Sequence, residues 1–231
     1  MNTETIKMSI AAFWDQAVDS YDSYPRHGIL SEDEESAWLD FLSSVLPEPS
    51  REVLDVGAGT GFLTILLAKL GCHVKSTDIS GGMQNKAILK AAQLELTDRI
   101  SFAIEDAEKL GEPDNRYDAV LNRHLLWTLP HPAEAVQEWL RVTRPGGRVI
   151  IIDANWYQDS CEAQNSYEGE VNNALPLTNP DCSAAKILHA AGFEVEEVDL
   201  QSIDKAERQM IAERHLRDIN MCSRYAYIIE K

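Results

Sequence analysis

Positive charge is scarce in this chain of 231 residues: 21 Lys and Arg stand against 38 Asp and Glu, a formal charge of −17. Nucleic-acid phosphates and anionic bilayers repel such a surface, so neither is an expected partner. Cysteine is equally sparse. Positions 72, 161, 182 and 222 form no Cys-x-x-Cys pair and have no His at zinc-binding spacing, so reduced thiols and no metal centre are expected. No run of about 18 apolar residues is present, which predicts no membrane-spanning helix. The first 22 residues lack a basic stretch followed by an apolar core, so no secretory leader is predicted and the expected location is cytoplasmic. Repeats, low-complexity blocks and long linkers are also missing. What is there is ordinary for a folded domain: 44% hydrophobic and 26% charged residues, in a length that suits one sizeable α/β unit better than two.

The first fifty residues read as helical. Trp14, Ala17 and Val18 share one face, as do Ala37, Phe41, Leu42 and Val45, and Ser31 precedes an acidic first turn, Glu32 to Glu35. Pro47 and Pro49 end this region. From Glu52 onward strands and helices alternate. Strands are predicted over 53–56, 73–77, 100–104, 117–121 and 149–152, and helices over 62–70, from Ser80 to about 96, and from 133 to 143. The 100–104 stretch alternates apolar and small or polar residues, as at a sheet edge. Arg144-Pro145-Gly146-Gly147 reads as a turn. Five alternations predict a parallel sheet covered on both faces. The tail differs: Asn179-Pro180 is expected to open a helix that Gly192 stops, and strands over 193–200 and 225–229 flank a helical excursion and return antiparallel.

The chemistry begins where the first strand meets Gly57-Ala58-Gly59-Thr60-Gly61 and then a helix. Gly57 and Gly59 permit a tight turn and close approach of a ligand, and the helix start offers unpaired N–H groups. The third glycine falls one place earlier than a dinucleotide-binding loop requires, Phe62 taking its position, and no Lys-Ser/Thr follows as in a phosphate-binding loop. Asp55 precedes the first glycine and could hold the loop or attract a cation. Asp78 lies 21 residues past Gly57, where a carboxylate can accept both hydroxyls of a ribose. Asp106 follows the third strand and could accept from an exocyclic amine. Three acids at neighbouring strand ends would repel a pyrophosphate and favour a ligand with a ribose, an amine and a positive centre.

In these residues the chain resembles the class I S-adenosyl-L-methionine-dependent methyltransferases, of the small-molecule, methyltransferase type 11-like kind. The resemblance rests on Leu54-Asp55-Val56-Gly57-Ala58-Gly59-Thr60-Gly61, Asp78-Ile79, Asp106-Ala107, Tyr117-Asp118 and Arg144-Pro145-Gly146-Gly147-Arg148. It implies a Rossmann-like, doubly wound α/β/α fold with a seven-stranded sheet, mostly parallel, whose last strand runs antiparallel. It also implies that Asp55, Gly57, Ala58, Gly59 and Gly61 hold the methionine moiety. Asp78 would bind the ribose, Ile79 would pack on adenine, and Asp106 with Ala107 would meet the adenine amine and ring. The product would be S-adenosyl-L-homocysteine.

The acceptor side has no universal motif in that family. Asn122 could meet the amino-acid part of the cofactor, Arg123 or His124 a substrate anion, and His124 could act as a base. Trp127 is a candidate substrate contact with packing as the blander alternative. Residues 1–50 would form a helical lid over a domain spanning 51–231, with 155–180 as a substrate-side insertion. In the lid, Tyr21 is the preferred catalytic candidate, Tyr24 a substrate contact, and His27 a further possibility. The expected activity is methyl transfer to a small molecule by in-line displacement, in a monomer or homodimer with no nucleic-acid or membrane partner. The competing readings are a non-catalytic module that binds the same cofactor and, more remotely, a nicotinamide-dependent oxidoreductase.

Overall fold

A computed structural model describes residues 1–23, 27–154, 167, 169–179, 181–213 and 224–231 of the chain. Strands β1 (Glu52–Val56), β2 (His73–Asp78), β3 (Ile100–Ile104), β4 (Tyr117–Arg123), β5 (Thr143–Ala154), β6 (Glu196–Asp199) and β7 (Arg224–Glu230) form one sheet in the order β3-β2-β1-β4-β5-β7-β6. The first five strands pair in parallel, and β7 runs antiparallel between β5 and β6. The helices are α1 (Thr3–Tyr21), α2 (Glu32–Val45), α3 (Phe62–Lys69), α4 (Gly81–Gln93), α5 (Pro132–Val142), α6 (Gly169–Asn173), α7 (Ala184–Ala190) and α8 (Gln201–Glu213).

Each face of the sheet carries its own core. Trp38, Leu42, Leu66, Leu67 and Ile203, from α2, α3 and α8, pack on Val53, Leu121, Ile150 and Ile152. Val136, Trp139 and Leu188, from α5 and α7, pack on Leu54, Val120, Val149 and Ile151. The alternation within 149–152 divides one strand between two cores, and all four side chains are fully buried. That double coverage is what a continuous apolar strand requires. The chain's direction of progress reverses between β1 and β4, so a crevice opens at the C-terminal ends of these two strands, where open α/β sheets bind ligands.

Two local expectations are corrected. Arg144-Pro145-Gly146-Gly147 is not a free turn but lies within β5, which already pairs through Thr143 with Tyr117 before a bulge shifts the register. Gly147 fits the ladder because a Cβ there would meet the Asp118 carbonyl at 2.6 Å, and Gly146 takes a positive φ of 76°. Helix α7 begins four residues later than Asn179-Pro180 suggests: Ser183 is its N-cap, accepting from the Lys186 N–H, while Asn179 closes a short 3₁₀ turn and accepts from Asp181 N–H. Ser31 and Ser80 do cap α2 and α4 as expected. No described helix is long and apolar enough to cross a membrane.

Candidate active site

The glycine loop leaves β1 and enters α3 with Gly57, Gly59 and Gly61 at φ values of 63°, 57° and 86°. All three lie in the left-handed region that disfavours side chains. The space argues the same way at Gly57, where a Cβ would meet Leu125 Cδ1 at 2.5 Å, whereas one at Gly59 would point across a gap toward Tyr21 Cε1, 4.0 Å away. The gap is part of a cavity of about 690 Å³, open to solvent, whose wall includes Gly57, Gly59, Asp78, Ile79, Asp106 and Ala107. A smaller recess of about 280 Å³ adjoins it, lined by Asp55, Ala58, Thr60 and Phe62, and the two share Tyr21, Gly57, Gly59 and Arg123.

Main-chain donors fix the carboxylates at this end. Asp78 accepts from the N–H of Gly59 and of Ser80, each at 2.8 Å, so one side chain ties the loop to the start of α4. Burial pushes its pKa up to about 6, against these bonds, which favour the charge. Asp106 accepts from Glu108 N–H at 3.0 Å. Its other oxygen takes a 2.7 Å bond from Lys7 of α1, whose ammonium also meets Glu108 at 2.5 Å. Ile79 and Met83 supply apolar wall beside them.

Asp55 behaves differently. It is 1% exposed and faces Thr64, whose hydroxyl donates to it at 2.5 Å. Burial lifts its pKa to about 7. Of the two roles open to it, the structure favours holding the loop onto α3, since Asp55 borders only the recess while Asp78 and Asp106 line the main cavity.

The opposite wall comes from β4 and α1. Arg123, 8% exposed, lays its guanidinium over the Phe62 ring at 3.7 Å. His124 follows at φ 58°, a strained backbone position for a non-glycine residue, and its N–H donates to Ile152. That conformation turns its buried imidazole into the cavity wall. Tyr21 stacks on His27 with ring centroids 4.3 Å apart, and burial raises its phenol pKa. Asn122 does not line either space: it is fully buried, and neither amide atom has a hydrogen-bond partner. Trp127 also stays out of the lining and packs with Trp14 and Tyr167 at centroid distances of 6.3 and 5.7 Å. Tyr24 and most of 155–180 lie outside the described residues. Among those described, no group of acidic, His or Cys side chains could hold a metal ion.

Helix α1 covers the cavity and is pinned at three points that the sequence reading missed. Lys7 reaches Asp106, Asp15 accepts from Ser80 Oγ and Gly82 N–H, and Asp22 accepts from Thr60 Oγ1 and pairs with Lys90 at 2.7 Å. The ion pair with Lys90 and the Thr60 bond hold the Asp22 carboxyl below its usual range although burial opposes them. A signal was available: Lys7, Trp14 and Tyr21 recur at seven, as do Asp15 and Asp22, which places each set along one side of the helix.

Comparison with known proteins agrees with this geometry. Residues 54–151 match the family described as "Methyltransferase domain". "Demethylmenaquinone methyltransferase" of Clavibacter sepedonicus is 32% identical over 145 residues, 62% of this chain and 57% of that protein. "Ubiquinone/menaquinone biosynthesis C-methyltransferase UbiE" of Rickettsia bellii (strain OSU 85-389) is 28% identical over 189 residues, 79% and 75%. Several such relatives are thus matched over little more than half their length. In three dimensions the fold is shared with the [4+2]-cyclase SpnF, at TM-score 0.69 and 18% identity over 97% of this chain and 96% of that one. It is shared too with a SAM-dependent methyltransferase from Aquifex aeolicus, at 0.62 and 21% over 93% and 98%. The 54–151 segment, which carries the glycine loop, Asp78 and Asp106, is thus similar to a methyltransferase domain, and one protein of the same fold is named as dependent on S-adenosylmethionine.

The residues present fit that cofactor. Asp78 offers two oxygens to a diol, Asp106 an acceptor for an amine, Ile79 and Met83 an apolar wall for a ring, and the glycine loop a surface without side chains.

Proposed function

We propose that the protein transfers a methyl group from S-adenosylmethionine to a small-molecule acceptor. The observation that carries this reading is the convergence of the glycine loop, Asp78, Asp106 and Ile79 on one cavity whose far wall is His124 and Tyr21. The cofactor supplies an electrophilic methyl carbon on a positively charged sulfur. The chain's part is alignment of acceptor and methyl carbon, and exclusion of water, which α1 serves by spanning the cavity. His124, turned into the wall by its backbone, is the candidate to receive a proton from an acceptor that carries one, and Tyr21 the candidate to orient it. Residues 1–50 act as the lid.

The acceptor class that best suits this wall is a planar, largely apolar molecule. One relative is named for demethylmenaquinone and another for ubiquinone/menaquinone biosynthesis, and Trp14, which lines the cavity, clusters with Phe13, Trp127 and Tyr167. One observation favours a second reading, cofactor binding without methyl transfer: the same fold serves a protein named as a cyclase.

The deciding experiment incubates purified protein with methyl-labelled cofactor and a panel of hydroquinones, phenols and amines. Label transferred to an acceptor, with S-adenosylhomocysteine released in equal amount, supports the proposal. Tight cofactor binding with no transfer to any class supports the second reading.

A further inference from the structure

Behind the glycine loop lies a file of four polar side chains from four elements. Asp55 is on β1, Thr64 on α3, Ser76 on β2 opposite Asp55 in the strand register, and Gln84 on α4. None is more than 2% exposed. Thr64 Oγ1 lies 2.5 Å from Asp55 Oδ2 and 3.1 Å from Ser76 Oγ, and Ser76 Oγ lies 3.3 Å from Gln84 Nε2. The direction of these bonds follows from their protons. An amide nitrogen only donates, so Gln84 donates to Ser76. Each hydroxyl has one proton, so Ser76 donates onward to Thr64 and Thr64 to Asp55. All three bonds then point at Asp55, the arrangement that serves a carboxylate.

The far end of the file is unbalanced: Gln84 Oε1 is buried without a hydrogen-bond partner. Turning the amide over presents that oxygen to Ser76, and its two ends are so alike in size that the exchange needs no repacking. The file then runs the other way. Asp55 donates to Thr64, Thr64 to Ser76 and Ser76 to Gln84, through the same three contacts, once Asp55 carries a proton. Asp55 is placed to use both directions, since burial disfavours its charge and lifts its pKa to about 7. The charged groups that face it oppose each other, Arg123 of β4 favouring the carboxylate and Asp78 of β2 the acid. Tyr21 of α1 shares the recess, while α3 and α4 bring the uncharged Thr64 and Gln84. A cation held in the cavity walled by the same loop tips this balance toward the carboxylate. S-adenosylmethionine has such a charge on its sulfur, and the thioether left by methyl transfer does not.

We propose that Thr64, Ser76 and Gln84 are positioning residues that form a reversible hydrogen-bond relay, holding Asp55 in place as carboxylate and as acid, so that uptake of the sulfonium cofactor releases the Asp55 proton to solvent and its conversion to the thioether takes a proton back. The relay itself is a property of the ligand-free protein. Its coupling to the cofactor rests on the proposed S-adenosylmethionine site.

Two measurements test it, the first without ligand. Carbon-13 NMR of aspartate-labelled protein follows the Asp55 carboxyl with pH, its signal assigned by loss in Asp55→Asn, and a midpoint near neutrality is expected. Gln84→Met and Ser76→Ala each remove an acceptor that the acid form needs, and should lower that midpoint by about one pH unit. Thr64→Val removes the donor that the carboxylate uses, and should raise it by about as much. Should one variant fail to fold, the sign of the shift in the others decides. Variants that lose thermal stability with the midpoint unmoved, or an Asp55 that stays ionised down to about pH 4 as an exposed carboxyl would, would overturn the relay. The second measurement is calorimetry near pH 7 in two buffers of different ionisation enthalpy. S-adenosylmethionine should release about 0.3 to 0.5 proton more than S-adenosylhomocysteine, and Asp55→Asn should erase the difference. Equal release by the two ligands would overturn the coupling. Failure of wild type to bind either ligand would instead remove the cofactor site, on which the ligand-free titration does not depend.

Discussion

The two ends of the crevice are built by different means. At the β1–β3 end, Asp78 and Asp106 are held by main-chain N–H groups of Gly59, Ser80 and Glu108. Two of those donors sit two residues from the acid they hold, and the third is in the glycine loop. At the β4 end, Arg123 and His124 are held among side chains from α1, α2 and α3, including Tyr21, Trp38 and Phe62, which precede Arg123 by 102, 85 and 61 residues. A site fixed by its own local backbone varies little and suits an invariant cofactor. A site fixed by remote helices can change with them, and suits an acceptor that differs between proteins of one fold.

Substitutions should break the two ends in different ways. The largest effect is expected from Asp78→Ala, which removes the ribose acceptor and the tie to Gly59. Affinity for S-adenosylhomocysteine should fall by about 2–3 kcal/mol, measured by titration. An effect on protein stability alone would place the ribose elsewhere. Gly57→Ala comes next, expected to lower unfolding free energy by about 1–2 kcal/mol through its positive φ and the contact with Leu125, read by denaturant titration.

The pH response can be followed at the loop end through two buried acids, Asp55 and Asp78. Asp55 and Asp78 have folded pKa values of about 7 and 6, above the 3.8 of an exposed carboxyl, so the folded state favours their protonated forms. Their contribution to stability is therefore complete below pH 3.8 and is lost as pH rises through about 6 to 7. The ligand-free protein should lose on the order of 1 kcal/mol or more over that window, and Asp55→Asn should flatten the decline in thermal melts. Ligand affinity should move oppositely, rising from pH 5 to 8 as Asp78 ionises. The smallest effect is expected at the lid. Lys7→Met removes a partly exposed ion pair, so stability should change by under about 1 kcal/mol, while amide exchange over residues 3–14 quickens. Unchanged exchange there would show that Asp15 and Asp22 pin α1 unaided.

This contrast also explains what could be read from residues alone. The alternating strands, the antiparallel β7 and the convergence of Asp78 and Asp106 followed from periodicity and from spacing within about 50 residues. Asp55 could be placed near the loop but not oriented, since only the packing of α3 shows it turned to Thr64. The direction of Arg123 was not legible: strand alternation puts it on the face of Leu121, but Phe62 and Trp38 reach it only through the tertiary fold. The pins of α1 were half legible, in the spacing of seven along the helix but not in the partners, which lie on α4 and beyond β3. Arg144 to Gly147 misled because Gly147, which read as part of a turn, instead allows β5 to approach Asp118 closely.

The central claim is that this hollow accepts an adenosyl amino acid, and equilibrium calorimetry of the purified chain with S-adenosylhomocysteine meets it most directly. Saturable one-to-one binding in the micromolar range or tighter, strengthened between pH 5 and pH 8 and lost in Asp78→Ala, is the expected result. A folded protein that takes up no ligand at millimolar concentration would contradict it.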